Sequence, residues 1–549
     1  MSHPDPLPLR ERRLEALDEG PLDVLVVGGG ITGAGLGLDL ALRGLRVAVC
    51  ERGDWACATS SASSRMIHGG LRYLEQFEFS LVRDSCLERG LLMKNAAGMV
   101  WPERFLFPLY KGEGPGRLKL AAGLGLYTAV SIPRVLGIPR MHGRRRVGDW
   151  LPGARTQGLL GGGSYLDGAS DDSRLTLAVI ATAIQAGCIA LSRVEVTAIE
   201  NSANAAQTEI LDKLTGERRT IEARSVVLCG GPFTESLRQR AGLDGSWVQP
   251  TRGTHVLVPR DRLPTDGAVI FASPVDGRIM FLIPWPQYTV IGTTDLDANP
   301  EDDIAASLKE VRYLLDSANG LVPDADLGED DVVSSWAGLR PLLASPADDP
   351  SARSREERVA RDASVYTIAG GKLTGYRSMA EKLGARIASD LGVGNTAAHS
   401  PTRDHALRGA MAAPVRRPTW SDLAGRSRMD PLDHAWTRRY AGLRPAIEEY
   451  CGRLEAGRSP LNAETLLGEI DWAVRFEDCL GIEDFLLRRT DLGYGRRGDT
   501  EAILEQILGR LGERLGWTPD QRASEERSFQ AAMRRIHGWR GPPSLARRA

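Results

Sequence analysis

Gly28, Gly30, Gly33 and Glu51 set the first chemistry that this chain can do. They lie in DVLVVGGGITGAGLGLDLALRGLRVAVCE, the stretch Asp23–Glu51. Gly28 permits a tight turn, Gly30 lacks the Cβ that would keep a pyrophosphate off the backbone, and Gly33 allows a helix to pack closely on a strand. Ile31 and Thr32, inside the G-x-G-x-x-G pattern, open a helix whose N-terminus offers N–H groups and partial positive charge to phosphate. Glu51, followed by Arg52, can accept hydrogen bonds from two ribose hydroxyls; its charge repels a 2′-phosphate, which disfavours NADP. Together these residues point to a bound dinucleotide.

A second group follows in CATSSASSRMIHGGLRYLE, Cys57–Glu75. Thr59, Ser60, Ser61, Ser63 and Ser64 fall within six positions and can wrap a cofactor's pyrophosphate and flavin with hydroxyl and backbone donors. Gly69 and Gly70 permit close backbone approach to something flat or anionic. His68, Arg72 and Tyr73 set this segment apart from an ordinary serine-rich loop. Farther on, His255 is a titratable group with an ordinary pKa near working pH. Arg340 is held between Leu339 and Pro341, and Lys372 stands in Gly370-Gly371-Lys372-Leu373-Thr374. Isolated histidines and arginines are ordinarily structural, so these three need context.

The elements that must position these residues are legible in the pattern. The valine-rich run Asp23–Val27 reads as a buried strand, the chain to Arg43 as a helix broken by Gly44, and Arg46–Cys50 as a second strand closed by Glu51. Residues 1–20 read as a loose, partly helical lead-in. Asp171–Gly187 reads as an amphipathic helix feeding the strand Val194–Ile199, with Val196 beside the nucleotide. A hairpin-like excursion spans 201–222, and Ser225–Pro232 is a strand running into a close-approach turn at Gly230. Residues 246–300 alternate as strands do, and 301–330 are acidic and helical. Val365–Ala369 reads as a strand and Leu373–Leu391 as a helix, which places Lys372 at a helix N-terminus, where it could stabilise developing negative charge. After a break near 395–420 the pattern is helical, with Glu469–Thr490 its clearest element.

With 549 residues the chain holds two to four domains. A net charge of −2 gives no field for nucleic acid. Seven scattered cysteines without C-x-x-C indicate a reducing compartment, with no disulfide framework and no metal site. There is no secretory h-region and no run of about 18 apolar residues to span a membrane. Residues 104–146 hold nine Lys or Arg and a single acid, Glu113, with apolar runs such as Leu120–Val130 between them. Such a segment can bind an anionic membrane surface, or simply be a solvated basic face.

The Cys57–Glu75 segment resembles the FAD-dependent glycerol-3-phosphate dehydrogenases, membrane-associated flavoenzymes that feed electrons to quinone. GTHVLVP at Gly253–Pro259, IPW at Ile283–Trp285, IGTTD at Ile291–Asp295, GLRPL at Gly338–Leu342 and GGKLTGYR at Gly370–Arg377 look like that family's blocks, in its order. The resemblance implies an α/β fold: a discontinuous two-dinucleotide-type, Rossmann-like FAD domain (20–100, 165–245, 350–395), an inserted substrate domain on a mixed or antiparallel sheet (101–164, 246–349) and a helical C-terminal cap (400–549). It implies FAD held by Gly28, Gly30, Ile31, Thr32, Gly33, Glu51, Arg52, Thr59, Ser60, Ser61, Ser63, His68, Gly69, Gly70, Val196, Gly230, Gly371, Leu373 and Thr374.

It further implies that His255 is the base for glycerol 3-phosphate oxidation, that Arg340 and Arg355 clamp the phosphate, and that Lys372 and Tyr73 stand beside the substrate. Dihydroxyacetone phosphate is the implied product and a membrane quinone the implied acceptor. The implied protein is cytoplasmic, peripheral on the inner membrane face, and a homodimer. The absence of a D-x-D-x-D-G loop speaks against the calcium-regulated mitochondrial form. Four other readings are a glycerol-3-phosphate oxidase using oxygen, an amine or amino-acid oxidase of the same fold, an NAD-linked dehydrogenase and a non-catalytic dinucleotide-binding regulator. The paired arginines favour a phosphate over an amine, the serine-rich loop and downstream blocks disfavour NAD, and the presence of His255, Arg340 and Lys372 disfavours a regulator.

Overall fold

The computed structural model describes residues 7–344, 356–392, 394, 400–412, 431–451 and 463–540. Among them the strands form two sheets. At the centre of the first, Leu22–Val27 pairs in parallel with Val47–Glu51 on one side and Arg218–Leu228 on the other. Ile189–Ser192 and Val365–Gly370 extend the parallel order outward. Such strands are buried on both faces, which is why they read as unbroken valine and leucine runs. Helices Ile31–Leu42, Asp172–Gln185 and Tyr376–Leu391 cover one face. The other is covered by the antiparallel pair Val194–Asn201 and Ala206–Asp212; the excursion expected over 201–222 is Ala206–Asp212 with the start of Arg218–Leu228, its antiparallel partner. Helix Ile31–Leu42 ends where expected, with Gly44 at φ +85°.

Ten strands form the second, mixed sheet. Val100–Tyr110 and Leu159–Ser170 pair antiparallel along their length, and Thr251–Pro259 pairs with both Tyr288–Gly292 and Ser334–Arg340. The period-2 alternation expected over 246–300 decides which side each residue serves. Val256 and Val258 pack under helix Leu308–Leu321 on one face. Leu257 packs against C-terminal helices on the other, in a cluster with Trp285, Ile470, Phe485, Ile507 and Phe529. Helix Leu308–Leu321, within the acidic stretch expected to be helical, starts at a capping box of Ser307 and Glu310. The C-terminal part is helical: Ala463–Glu477, Arg497–Leu515 and Pro519–His537 are its longest described elements.

Three local expectations are corrected. The described part of the lead-in, from Leu7 on, is partly helical as expected but docked rather than loose: in helix Arg10–Glu15, Arg10 donates to Asp212 and to the Ser192 carbonyl, and Arg13 pairs with Asp478. Helix Asp172–Gln185 is not amphipathic in situ but buried almost all round, because the C-terminal helices cover its outer side; Arg174 pairs there with Glu477 at 2.7 Å. Glu469–Thr490 is not one helix. The chain turns at Asp478, φ +54°, whose carboxylate accepts from Arg13 and Trp55, and resumes as the π-helical turn Asp484–Arg489. Arg489 then grips Asp54 with two bonds of 2.6 and 2.8 Å, tying the cap to the first sheet's loops.

Candidate active site

The turn after Leu22–Val27 is built as the glycine pattern demands. Gly28 sits at φ +119°, and a Cβ there would fall 2.4 Å from the Cys229 carbonyl oxygen on the neighbouring strand end. A Cβ at Gly33 would fall 1.9 Å from the Gly28 carbonyl oxygen, so only glycine lets the helix approach. Glu51 is pinned: Oε2 accepts from Gly29 N and Oε1 from Gly53 N, each at 2.7 Å. Each carboxylate oxygen has a second lone pair, so Glu51 can still accept from a ribose. Ser60 Oγ accepts from Ile31 N at 3.0 Å and thus takes one of the helix N-terminal donors.

A cavity of about 2310 Å³ opens from this turn. Gly28, Gly30, Ile31, Thr32, Glu51, Arg52, Val196 and Gly230 line one end. Thr59, Ser60, Ser63 and Ser64 line the cavity too, as do His68, Gly70, Tyr73, Gly371, Lys372, Leu373 and Thr374. Arg340 also lines it. Arg52 lies over the Phe233 ring at 4.3 Å, and Thr59 Oγ1 donates to the Leu339 carbonyl at 2.7 Å. The glycine cradle, the helix N-terminus and the placed carboxylate fit a dinucleotide cofactor, and the cavity has room beyond it.

Of the residues expected at the cofactor, Gly33, Ser61 and Gly69 stand outside the cavity lining. Gly33 serves helix packing. Ser61 is buried, with its hydroxyl directed to the Ala58 carbonyl at 3.4 Å. Gly69 N donates to Tyr127 Oη at 3.0 Å and to Asp167, a buried carboxylate also held by Arg89 at 2.8 Å. That triad fixes the backbone just before Gly70 and Tyr73.

Of the residues expected at the substrate, Lys372 Nζ lies 3.7 Å from the Tyr73 ring centroid. Arg340 reaches Asp295 Oδ1 at 2.9 Å, the Thr294 carbonyl at 3.2 Å and Thr293 Oγ1 at 3.0 Å. Its guanidinium lies over Gly253, where a Cβ would fall 2.3 Å from Nη2, so the glycine of GTHVLVP leaves room for the arginine of GLRPL. Arg355 lies outside the described residues.

His255 does not line the cavity and is 2% exposed. Its ring stacks on Trp336 at 5.0 Å, and Nε2 meets Ser64 Oγ at 2.8 Å. Burial, then the positive charges of Arg340 and Arg65, push its pKa down to about 3, so the imidazole is neutral at ordinary pH. Sequence reasoning set Ser64 among the hydroxyls that can wrap the cofactor and not beside His255; the contact joins residues 191 positions apart, and the only local signal was the run of hydroxyls.

A family model described as FAD dependent oxidoreductase matches residues 23–380, and one described as C-terminal domain of alpha-glycerophosphate oxidase matches 402–522. The aerobic glycerol-3-phosphate dehydrogenase of Staphylococcus aureus (strain MRSA252) is 30% identical over 557 residues, covering 96% of this chain and 97% of its own. That of Staphylococcus saprophyticus is 30% identical over 552 residues, covering 95% and 96%. The crystal structure of the glycerol-3-phosphate dehydrogenase from Bacillus halodurans, complexed with FAD, superposes with a TM-score of 0.75 at 28% identity, covering 96% of this chain and 97% of that one. The FAD-bound L-alpha-glycerophosphate oxidase from Mycoplasma pneumoniae shares the fold, with a TM-score of 0.53 at 19% identity over 68% of this chain and 94% of its own. The chain belongs to the FAD-dependent oxidoreductase family, among the glycerol-3-phosphate dehydrogenases, and FAD is its cofactor.

Proposed function

We propose that the protein oxidises sn-glycerol 3-phosphate at C2 to dihydroxyacetone phosphate and passes the electrons to a membrane quinone. The observation that carries this reading is the convergence of Arg340, Lys372, Tyr73 and Ser64 on the cavity that also holds the dinucleotide cradle. FAD, when bound, supplies the acceptor for the C2 hydride. Arg340 presents a planar cation whose orientation is set by Asp295 and Thr293, suited to a phosphate. Lys372 adds a second cation, and Tyr73 a phenol that can donate to a substrate oxygen. Arg355 is proposed as a further phosphate contact. Neutral His255 can take up the hydroxyl proton.

Two observations favour quinone. Apolar side chains, Phe107, Leu120, Leu124, Ile270 and Phe281, are part of the cavity lining, two of them from the helix Arg117–Val130. The same basic region exposes Leu118 at 87% and Ile138 at 84%, and Arg117 and Arg140 are exposed as well. No helix among the described residues is long and apolar enough to cross a membrane, so this reading places the protein peripherally, on the inner face of the cytoplasmic membrane. The description of the C-terminal family model, an oxidase, favours oxygen as a second reading. Steady-state oxidation of glycerol 3-phosphate by the holoenzyme, with quinone reduction and hydrogen peroxide measured together, decides between them. Stoichiometric peroxide without quinone reduction refutes the quinone acceptor, and no turnover with either refutes the substrate.

A further inference from the structure

We propose that Ser64 is a catalytic residue that relays the substrate's hydroxyl proton to His255. The inference rests on the reading of glycerol 3-phosphate oxidation given above. It starts from an arrangement that a direct base would not show. The imidazole is enclosed, and its ring nitrogen meets a residue of the cavity lining: Ser64 lines the cavity, His255 does not, and their polar atoms are 2.8 Å apart. A substrate in the cavity can therefore meet a hydroxyl that is already paired with a ring nitrogen.

The loop holding Ser64 is fixed from both sides. Ser63 donates to Asp172 Oδ2 through its hydroxyl at 2.7 Å and its N–H at 2.9 Å. Arg65 N donates to Ser63 Oγ at 2.9 Å, and the Arg65 carbonyl accepts from Ser170 N at 2.9 Å. Arg65 itself sits at φ +57°, a left-handed conformation that a non-glycine residue keeps only where its surroundings enforce it. Its side chain supplies them: the guanidinium reaches Asp171 at 3.4 Å and lies over Trp285 at 4.0 Å. Arg438 of the C-terminal part lies over the same indole at 4.0 Å and pairs with Asp491. The ring of His255 is held between Trp336 and the space left by Gly292. Both partners of the relay are thus immobilised before substrate arrives, which is what proton transfer requires.

The C2–H electron pair leaves as hydride to FAD while the C2–O bond becomes a carbonyl. The hydroxyl proton passes to Ser64 Oγ, and the proton already on Ser64 passes to His255 Nε2. The serine ends as it began and the ring ends as imidazolium. The charged groups acting on the ring are Arg340 from strand Ser334–Arg340 and Arg65 from the loop, both cations. A substrate phosphate against Arg340 cancels one of them, so the ring gains proton affinity only when the site is filled. The relay needs the neutral tautomer with the proton on Nδ1 and Nε2 bare.

The test uses holoenzyme carrying ¹⁵N-labelled histidine, with His255→Asn to assign the signal. The expected result is an unprotonated Nε2 at pH 7, whose resonance shifts in Ser64→Ala. A ring protonated on Nε2 overturns the relay even if the variant does not fold. In anaerobic single turnover with glycerol 3-phosphate, Ser64→Ala should keep its FAD content and bleach about a hundredfold more slowly. Its proton inventory in mixed H₂O and D₂O should change from a two-proton curve to a straight line. Lost FAD, or an unchanged rate and inventory, contradicts the relay while the wild type still bleaches and the substrate reading stands. A wild type that does not bleach removes the substrate reading and the relay with it.

Discussion

The imidazole of His255 occupies the space that a side chain at residue 292 would fill: a Cβ there would lie 2.2 Å from His255 Cδ2. The two residues face each other across neighbouring strands, so the glycine of IGTTD exists for the histidine of GTHVLVP. Gly292→Ala therefore displaces the ring from Ser64. The expected outcome is normal FAD content with flavin reduction slowed about tenfold or more, read by anaerobic stopped flow. Unchanged reduction would show that the ring position does not matter.

Arg340 is a fork, not a point charge. Arg340→Lys keeps the charge but loses the simultaneous reach to Asp295, Thr293 and a bound phosphate. It should raise KM for glycerol 3-phosphate about ten- to a hundredfold, with a smaller change in kcat. Steady-state kinetics with an artificial electron acceptor measures this, and an unaltered KM would take Arg340 out of the phosphate site.

Acid sensitivity follows from the buried ring. His255 has a pKa near 3 in the folded protein, against 6.5 when free. Between those values the unfolded chain binds a proton that the folded one refuses, so this contribution is complete above pH 6.5 and is lost as pH falls toward 3. Urea unfolding at pH 7 and pH 5 should show a steeper loss of stability for the wild type than for His255→Asn. Parallel losses would mean that the ring titrates normally.

If the exposed apolar side chains of the basic region meet lipid, Leu118→Glu with Ile138→Glu should abolish flotation with anionic vesicles. The variant should still oxidise glycerol 3-phosphate with a soluble dye. Neither residue lines the cavity, so a lost dye activity would point to folding damage, and undiminished flotation would move the membrane contact elsewhere.

The first sheet was legible because its signals are local: glycine spacing, valine runs and the break at Gly44 all lie within one βαβ unit. The elements around Lys372 and the alternation near His255 were legible for the same reason. What stayed hidden depends on partners far along the chain. Arg174 meets Glu477 over 303 positions, and Arg10 meets Asp212 over 202, so neither the docking of the lead-in nor the covering of Asp172–Gln185 left a periodic trace. The break at Asp478 is likewise set by tertiary contacts with Arg13 and Trp55. At the site, the family resemblance pointed to His255 as the base, and nothing in the residues gave its depth, because a strand's alternation tells which face a side chain takes and not what stands in front of it.

Glycerol 3-phosphate should itself reduce the bound flavin. An anaerobic absorption spectrum of the purified holoenzyme, before and after one equivalent of glycerol 3-phosphate, tests this directly. The expected result is full flavin absorbance that bleaches on addition and returns with an added acceptor. A flavin that binds but stays oxidised at saturating substrate would contradict the assignment of Arg340, Lys372, Tyr73 and Ser64 to a glycerol 3-phosphate site.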